Sequence, residues 1–461
     1  MRPFPPSPAC QTIARRVLPV TRHKCRNYSG LAQKIEQNRS RTEPVPVTRE
    51  TLLQTRPDPY TLVAPELSHL RGSLLNLLGS AHPGLTDIAE YYFLQPSKQL
   101  RSLIVLLFSR ATNGLGAQWE RKHWDAECET ANGLGEELDR PLRSSQVLNE
   151  WNPRMNDSTT SFEAVFQLHR PKSYLEPSIP PPLSPMNSAL SISPISPPLL
   201  LPTQMRLAQI AEMIHVASLL HDGIIKKSDP RTELSEPEGF GNKLSILGGD
   251  FLLGRASTAL SRLGESEVVE LVASVISNLV EGEILRMDDV HTPDLGLVTG
   301  PKTANAAWDL YLRKTYLKTA SLMAKSARAA VVLGGCQEGE VWKEVSYAYG
   351  RNLGIAYQLL EDVLDYEAGV SSLRPGLATG PVLYAWEEHP ELQSLIQRNF
   401  VNNGDLDLAL DFVRRSSGIE RSRSLAQAYA EKAREVLHLL PDSDTKMALD
   451  VLADMVVKRT W

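Results

Sequence analysis

The stretch from Gln204 to Arg231 reads QMRLAQIAEMIHVASLLHDGIIKKSDPR and sets the terms for everything around it. Ile210, Met213, Ile214, Ala217 and Leu220 recur at helical spacing, while His215, Ser218 and Asp222 fall on a different face. Such a segment can be buried only as a helix that keeps a polar edge turned toward something other than the core. A second stretch, Asn352 to Tyr366 (NLGIAYQLLEDVLDY), has the same design, with Gln358, Glu361, Asp362 and Asp365 toward its end. Two apolar helices that both end in acid predict a facing pair.

The remaining long segments also carry the helical period: ILGGDFLLGRASTALSRL, VVELVASVISNLVEGEILRM, YLRKTYLKTASLMAKSARAAVVLGG and GIERSRSLAQAYAEKAREVLHLL. Breaks fall at Gly264, Thr292-Pro293 and Gly334-Gly335, and no credible alternating strand interrupts them. An all-α core is predicted. The chain's 42% hydrophobic but only 6% aromatic content fits one large helical body accompanied by weakly ordered segments. A net charge of -5 supplies no basic field for a nucleic-acid backbone, so nucleic acid is not an expected partner. No stretch approaches the roughly 18 uninterrupted apolar residues that would span a bilayer. Cys10, Cys25, Cys128 and Cys336 show neither a disulfide framework nor metal-ligand spacing, which fits a reducing compartment.

Residues 1–35 are rich in arginine, and Glu36 is the first carboxylate of the chain. That composition marks a mitochondrial transit peptide, or else a disordered basic tail. Residues 36–60 read as a linker, and residues 61–461 as the folded domain. From Leu62 to Asn113 the pattern predicts two helices with a turn near His82-Pro83-Gly84. Lys98 and Arg101 stand at the start of the second, where a helix N-terminus and two cations could hold an anion such as a diphosphate. A solvated amphipathic face is the plainer reading of the same spacing. Residues 114–203 run from Gly, Asn and charged residues into a proline-dense tract, predicting an extended or disordered insertion between core helices. Asp288, Asp289 and Asp294 form an acidic group read as a solvated helix cap.

Taken together, EMIHVASLLHD, FGNKLSILGGDFLLGRAS, YLKTASL and YQLLEDVLDY resemble the trans-polyprenyl diphosphate synthases, especially the fungal mitochondrial members that make the hexaprenyl tail of ubiquinone. The resemblance runs from about Leu67 to the C-terminus, skipping the proline-rich tract. It implies the isoprenoid synthase bundle, an all-α fold around a central cavity, and condensation of isopentenyl diphosphate with an allylic diphosphate. It also implies magnesium held by two aspartate-rich motifs, and a homodimer or a heteromer with an intact synthase. Carried over by position, Lys98, Arg101 and His215 would bind isopentenyl diphosphate and Arg231 the allylic diphosphate. Lys318, Thr319 and Gln358 would contact diphosphate, with Asp222, Lys318 and Gln358 as the catalytic set. Metal would fall to Asp222, Glu361, Asp362 and Asp365. Ala217 and Ser218 stand where bulky residues stop elongation in short-chain members, although close helix packing accounts equally for small residues there.

The chain departs from the family pattern at defined places. The first motif reads Asp222-Gly223-Ile224-Ile225-Lys226, so one carboxylate remains and Lys226 lies one turn away, where an ion pair with Asp222 is expected. Thr232 follows Arg231 in place of a second arginine. Ser97, Gln99 and Ser102 replace the glycine, a cation and the proline around Lys98 and Arg101, and Glu361 opens the second motif. The segment after Tyr366 lacks the family's glycine-lysine and aspartate closure. Three readings follow: a synthase with altered catalysis, a non-catalytic or regulatory subunit of a heteromeric synthase, and an isoprenoid diphosphate binder that does not elongate.

Overall fold

The computed structural model describes residues 56–78, 83–93, 99–131, 200–227, 241–287, 301, 303–368, 378–398, 400, 402 and 404–459. Among them every regular element is helical. Asp58 caps a short α1 (Pro59–Leu62) by accepting from the Thr61 N–H at 2.7 Å, followed by α2 (Ala64–Leu78), α3 (Pro83–Phe93) and α4 (Leu100–Thr112). Sequence periodicity predicted two helices over this region, and the structure has three. Pro96, between Phe93 and Leu100, cannot supply the backbone donor that one continuous helix would need.

A further difference concerns the stretch from 114 to 203. Its first part is an ordered helix, α5 (Trp119–Ala131), held by Gln118 N donating to Gly335 O at 3.0 Å and by a 2.9 Å Lys122–Glu265 ion pair. Its last part begins α6 (Pro202–Lys227), with Leu201 buried. The proline-dense tract was extended too far in both directions: α5 is charged and contains no proline, and Pro202 sits in the first turn of α6, where its missing N–H costs nothing. Pro59 and Tyr60, assigned to the linker, likewise belong to α1. The proposed transit peptide, residues 36–55 of the linker and residues 132–199 lie outside the described residues.

After α6 come α7 (Asn242–Ser261), α8 (Ser266–Met287) and α9 (Ala304–Thr315). A five-residue π-turn, Tyr316–Ala320, leads directly into α10 (Ser321–Leu333), which is followed by α11 (Val341–Ala368). The chain closes with α12 (Gly380–Glu388), α13 (Leu392–Gln397), α14 (Asp405–Arg415), α15 (Gly418–Val436) and α16 (Asp444–Val457). The expected breaks at Gly264 and Gly335 are present, with φ of 69° and 86°, conformations that glycine adopts without steric cost.

Two hydrophobic clusters carry the packing. One joins α2, α4, α6, α7, α8, α10 and α16, and includes all five residues of the predicted α6 stripe, each at most 2% exposed. The other joins α9, the end of α11 and α12 to α15. Helix α11 belongs to both. It approaches the π-turn and α10 closely enough that a Cβ on Gly354 would lie 2.5 Å from Ala320 Cα, and one on Gly350 2.6 Å from Met323 O. At its far face Tyr349 donates to Leu449 O at 2.7 Å, while Arg434 on α15 pairs with Asp450 at 2.6 Å and Asp454 at 3.1 Å, fixing α16 in place. With its outer side tied down, α11 presents its acidic end inward.

Candidate active site

A cavity of about 660 Å³ lies between α6 and α11, so the predicted pair of acid-ended helices does share one space. His215, Ser218 and Asp222 line it from α6, and Tyr357, Gln358, Glu361, Asp362 and Asp365 from α11. Ile214 is buried yet also reaches the wall, whereas Ala217 is fully buried in the core. On one side the lining is apolar, with Leu253 from α7 and Ile276, Leu279 and Val280 from α8. A polar belt runs across the middle.

Lys318 forms the centre of that belt. It belongs to the π-turn, whose wider winding changes the direction of successive side chains relative to α9 and α10. Its Nζ donates to Asp222 Oδ1 at 3.1 Å, Oδ2 at 3.2 Å and Glu283 Oε2 at 2.5 Å. Lys318 is thus a partner of Asp222 that the sequence did not name, and the side chain of Lys226, expected to pair there, lies outside the described residues. The next residue, Thr319, donates to Gln358 Oε1 at 2.9 Å, and Gln358 Nε2 donates to Asp362 Oδ1 at 2.9 Å. Tyr311 of α9 completes the chain by donating to Asp362 Oδ2 at 2.7 Å. Burial outweighs these hydrogen bonds and raises the Asp362 carboxyl to a pKa of about 6.

The same cavity extends to Arg101. This residue is half-buried, and loss of hydration lowers its pKa despite the nearby carboxylates of Glu212 and Glu361. Its Nε has no hydrogen-bond partner among the described groups, so the guanidinium retains a donor for a ligand. Burial and the adjacent Arg101 hold the His215 imidazole well below its ordinary pKa, so it is neutral near pH 7 and acts as a hydrogen-bonding group rather than a cation. Arg459, just beyond α16, reaches the acidic end of α11. It pairs with Glu361 Oε1 at 2.7 Å, and its guanidinium carbon lies 5.0 Å from the centre of the Tyr357 ring.

The substitutions near Arg101 have structural roles. Gln99 takes a left-handed conformation, φ 40°, at the start of α4, and its Oε1 accepts from Arg71 Nε at 3.1 Å. Ser102 donates through its backbone N–H at 3.2 Å and its hydroxyl at 2.9 Å to Glu212 Oε1. Proline at 102 could make neither bond.

Of the residues singled out from sequence, Arg101, His215, Ser218, Asp222, Lys318, Thr319, Gln358, Glu361, Asp362 and Asp365 converge on the cavity. Lys98, Arg231, Thr232, the Asp288 group and residues 369–377 lie outside the described residues. Sequence reasoning missed Glu212, Glu283, Tyr311 and Arg459. Two carboxylates, Glu281 and Glu283, in the mostly apolar SNLVEGEIL segment were the available signal for Glu283, whereas nothing local marked Arg459, which arrives through tertiary packing.

All-oxygen donors suit a hard divalent cation, which Asp222 on α6 and Glu361, Asp362 and Asp365 on α11 would hold. Protein groups already occupy these acids: Asp222 pairs with Lys318, Glu361 with Arg459, and Asp362 accepts from Tyr311 and Gln358. Among the described residues no three metal-binding side chains converge at ligating distance, so a cation would have to displace or share those partners. No described helix is long and apolar enough to cross a membrane.

The polyprenyl synthetase family model matches residues 186–413. A probable mitochondrial hexaprenyl pyrophosphate synthase from Yarrowia lipolytica is 41% identical over 87% of this chain and 85% of its own length. The mitochondrial hexaprenyl pyrophosphate synthase of Saccharomyces cerevisiae is 35% identical over 87% of this chain and 90% of its own. Among solved structures, the apo form of an Arabidopsis medium/long-chain length prenyl pyrophosphate synthase aligns with a TM-score of 0.52 and 27% identity, covering 88% of this chain and all of that one. A Caulobacter crescentus polyprenyl synthase complexed with calcium and isoprenyl diphosphate aligns with a TM-score of 0.58 and 23% identity, over 87% and 97% of the two chains.

Proposed function

The chain belongs to the polyprenyl synthetase family, and from that premise we propose that it is a mitochondrial trans-prenyltransferase that adds isopentenyl diphosphate to an allylic diphosphate. The observation that carries the reading is the meeting, in one cavity, of the Asp222–Lys318 pair, the Thr319–Gln358–Asp362 chain and an apolar recess on α7 and α8. The product would serve a ubiquinone side chain or a specialised metabolite. Relatives named as mitochondrial hexaprenyl synthases and the acid-free, arginine-rich start of the chain support the location.

Ionisation of an allylic carbon–oxygen bond places negative charge on the departing diphosphate. A hard cation, magnesium in this proposal, would neutralise part of that charge when bound by Glu361, Asp362 and Asp365. The protein's own share falls to Lys318, whose side chain lines the cavity, and to Thr319 and Gln358, whose linked side chains line it too. Arg101 and His215 would bind isopentenyl diphosphate, one as a charged donor and the other as a neutral one. Leu253, Ile276, Leu279 and Val280 would take the growing hydrocarbon and keep water from the allylic carbon.

Gly223 and Lys226, in place of two motif carboxylates, favour a second reading, a subunit that works beside an intact synthase. Radiolabelled isopentenyl diphosphate with geranyl or farnesyl diphosphate and magnesium separates the two. Elongation by the protein alone establishes the enzyme, and silence alone with altered rate or product length in a mixture with an intact fungal synthase establishes the subunit. Silence in both experiments removes the catalytic proposal.

A further inference from the structure

Helix α8 contributes more to this cavity than an apolar wall. Gly282 and Glu283 are adjacent on it, and both meet Lys318. A Cβ on Gly282 would lie 2.7 Å from Lys318 Cγ and 3.1 Å from Leu317 Cβ, so the bare glycine backbone is what lets the lysine stem pass. Glu283 then receives the ammonium at the end of that stem at 2.5 Å, on the cavity surface with its side chain 17% exposed. The third contributor is the π-turn itself, in which Lys318 occupies the middle position. Stem, head and backbone of one lysine are therefore each held by a separate feature.

We propose that Gly282 and Glu283 form a cradle that positions Lys318 for the diphosphate, with Glu283 keeping the ammonium shared between two carboxylates instead of captured by Asp222. The inference rests on the diphosphate-handling reading above. An ammonium has three donors, and here they are divided between Asp222 on α6 and Glu283 on α8, two helices on different sides of the π-turn. Without the α8 acceptor the lysine would swing onto Asp222, its remaining partner in this cluster. That collapse would withdraw the cation from the cavity and also neutralise the last carboxylate of the α6 motif. In a chain that has Gly223 and Lys226 in place of further acids, both losses fall on the same wall.

The sign of one measurement separates this role from the alternatives. Removing a negative charge from an anion site strengthens anion binding if only bulk electrostatics operates. Positioning predicts the reverse. Calorimetric titration of the full chain with inorganic pyrophosphate, in magnesium buffer, should show Glu283→Gln weakening binding by about tenfold, the scale of one charge-assisted hydrogen bond. Glu283→Asp should recover part of the loss, and Gly282→Ala should weaken binding in the same direction by displacing the stem. In a Lys318→Gln background, Glu283→Gln should add no further loss, because its effect runs through the lysine. Unchanged thermal melting of Glu283→Gln confirms that the fold is intact. Tighter or unchanged binding in Glu283→Gln, or a full loss that persists in the Lys318→Gln background, overturns the cradle while leaving the diphosphate reading standing. Failure of the unaltered protein to bind pyrophosphate overturns both.

Discussion

Asp362 offers a direct test of the electrostatics of the second acidic motif. Its side chain belongs to a residue only 4% exposed, and burial lifts the carboxyl from an ordinary 3.8 to about 6 against hydrogen bonds from Tyr311, Gln358 and the Gly380 backbone. A rise of about two units is worth about 3 kcal/mol in favour of the protonated form. The folded chain therefore holds a proton between about pH 4 and 6 that the unfolded chain has released. This contribution to stability is fully present below the unfolded pKa and is lost as pH rises through 6. Asp362→Asn removes the titration while retaining a side chain of the same shape. Urea unfolding followed by tryptophan fluorescence, from pH 3.5 to 7, should show the variant gaining about 3 kcal/mol relative to the wild type across that range. Parallel stability curves for the two proteins would refute the argument, since they would mean that Asp362 titrates normally in the fold. The functional counterpart is an acid limb near pH 6 in divalent-cation binding by the wild type, because the protonated carboxyl cannot ligate.

Three further outcomes follow from the packing. A Cβ at Gly223 meets nothing within 4 Å, so Gly223→Asp with Lys226→Asp should be accommodated and raise turnover at least tenfold, about 1.4 kcal/mol of barrier; no gain in the radiolabel assay would place the deficit elsewhere. Gly354→Ala would drive a methyl into the backbone of Ala320 and should cost about 1–3 kcal/mol, read as a lowered melting temperature, with an unchanged melt contradicting the close approach. Ser218→Phe should shorten the product seen by chromatography because Ser218 faces the cavity, whereas Ala217→Phe should destabilise the protein because Ala217 is fully buried; product lengths unaffected by Ser218→Phe would move the hydrocarbon path away from α6.

The contrast between Ala217 and Ser218 also marks what could be read from the chain alone. Helical spacing separated the buried stripe of α6 from its polar edge, and that edge does line the site with His215, Ser218 and Asp222. Position along one helix is a local property, and the period records it. Spacing put Ala217 in the buried stripe and Ser218 on the polar edge, as the structure has them, whereas the family resemblance set both alike at the point where elongation stops. Partner choice was illegible, because it depends on which helix lies opposite. Asp222 pairs with Lys318, 96 positions away, a partner that no local rule along α6 could name. The π-turn that sets the direction of Lys318 has no composition of its own, since YLKTA reads simply as helix.

These pairings change the meaning of the degenerate first motif. Where the family pattern calls for a row of carboxylates, this chain keeps one on α6, and the structure couples it to a cation from the π-turn and through that cation to a second acid on α8. The second motif is treated similarly, with Arg459 on Glu361 and a neutral hydrogen-bond chain on Asp362. On both walls these acids already hold protein partners at about 3 Å. A cation that binds them must exchange with or share those partners. Binding would then depend on the difference between two sets of ionic contacts, and the side chains that define the resting set, Lys318, Glu283 and Arg459, would govern affinity as directly as the acids themselves.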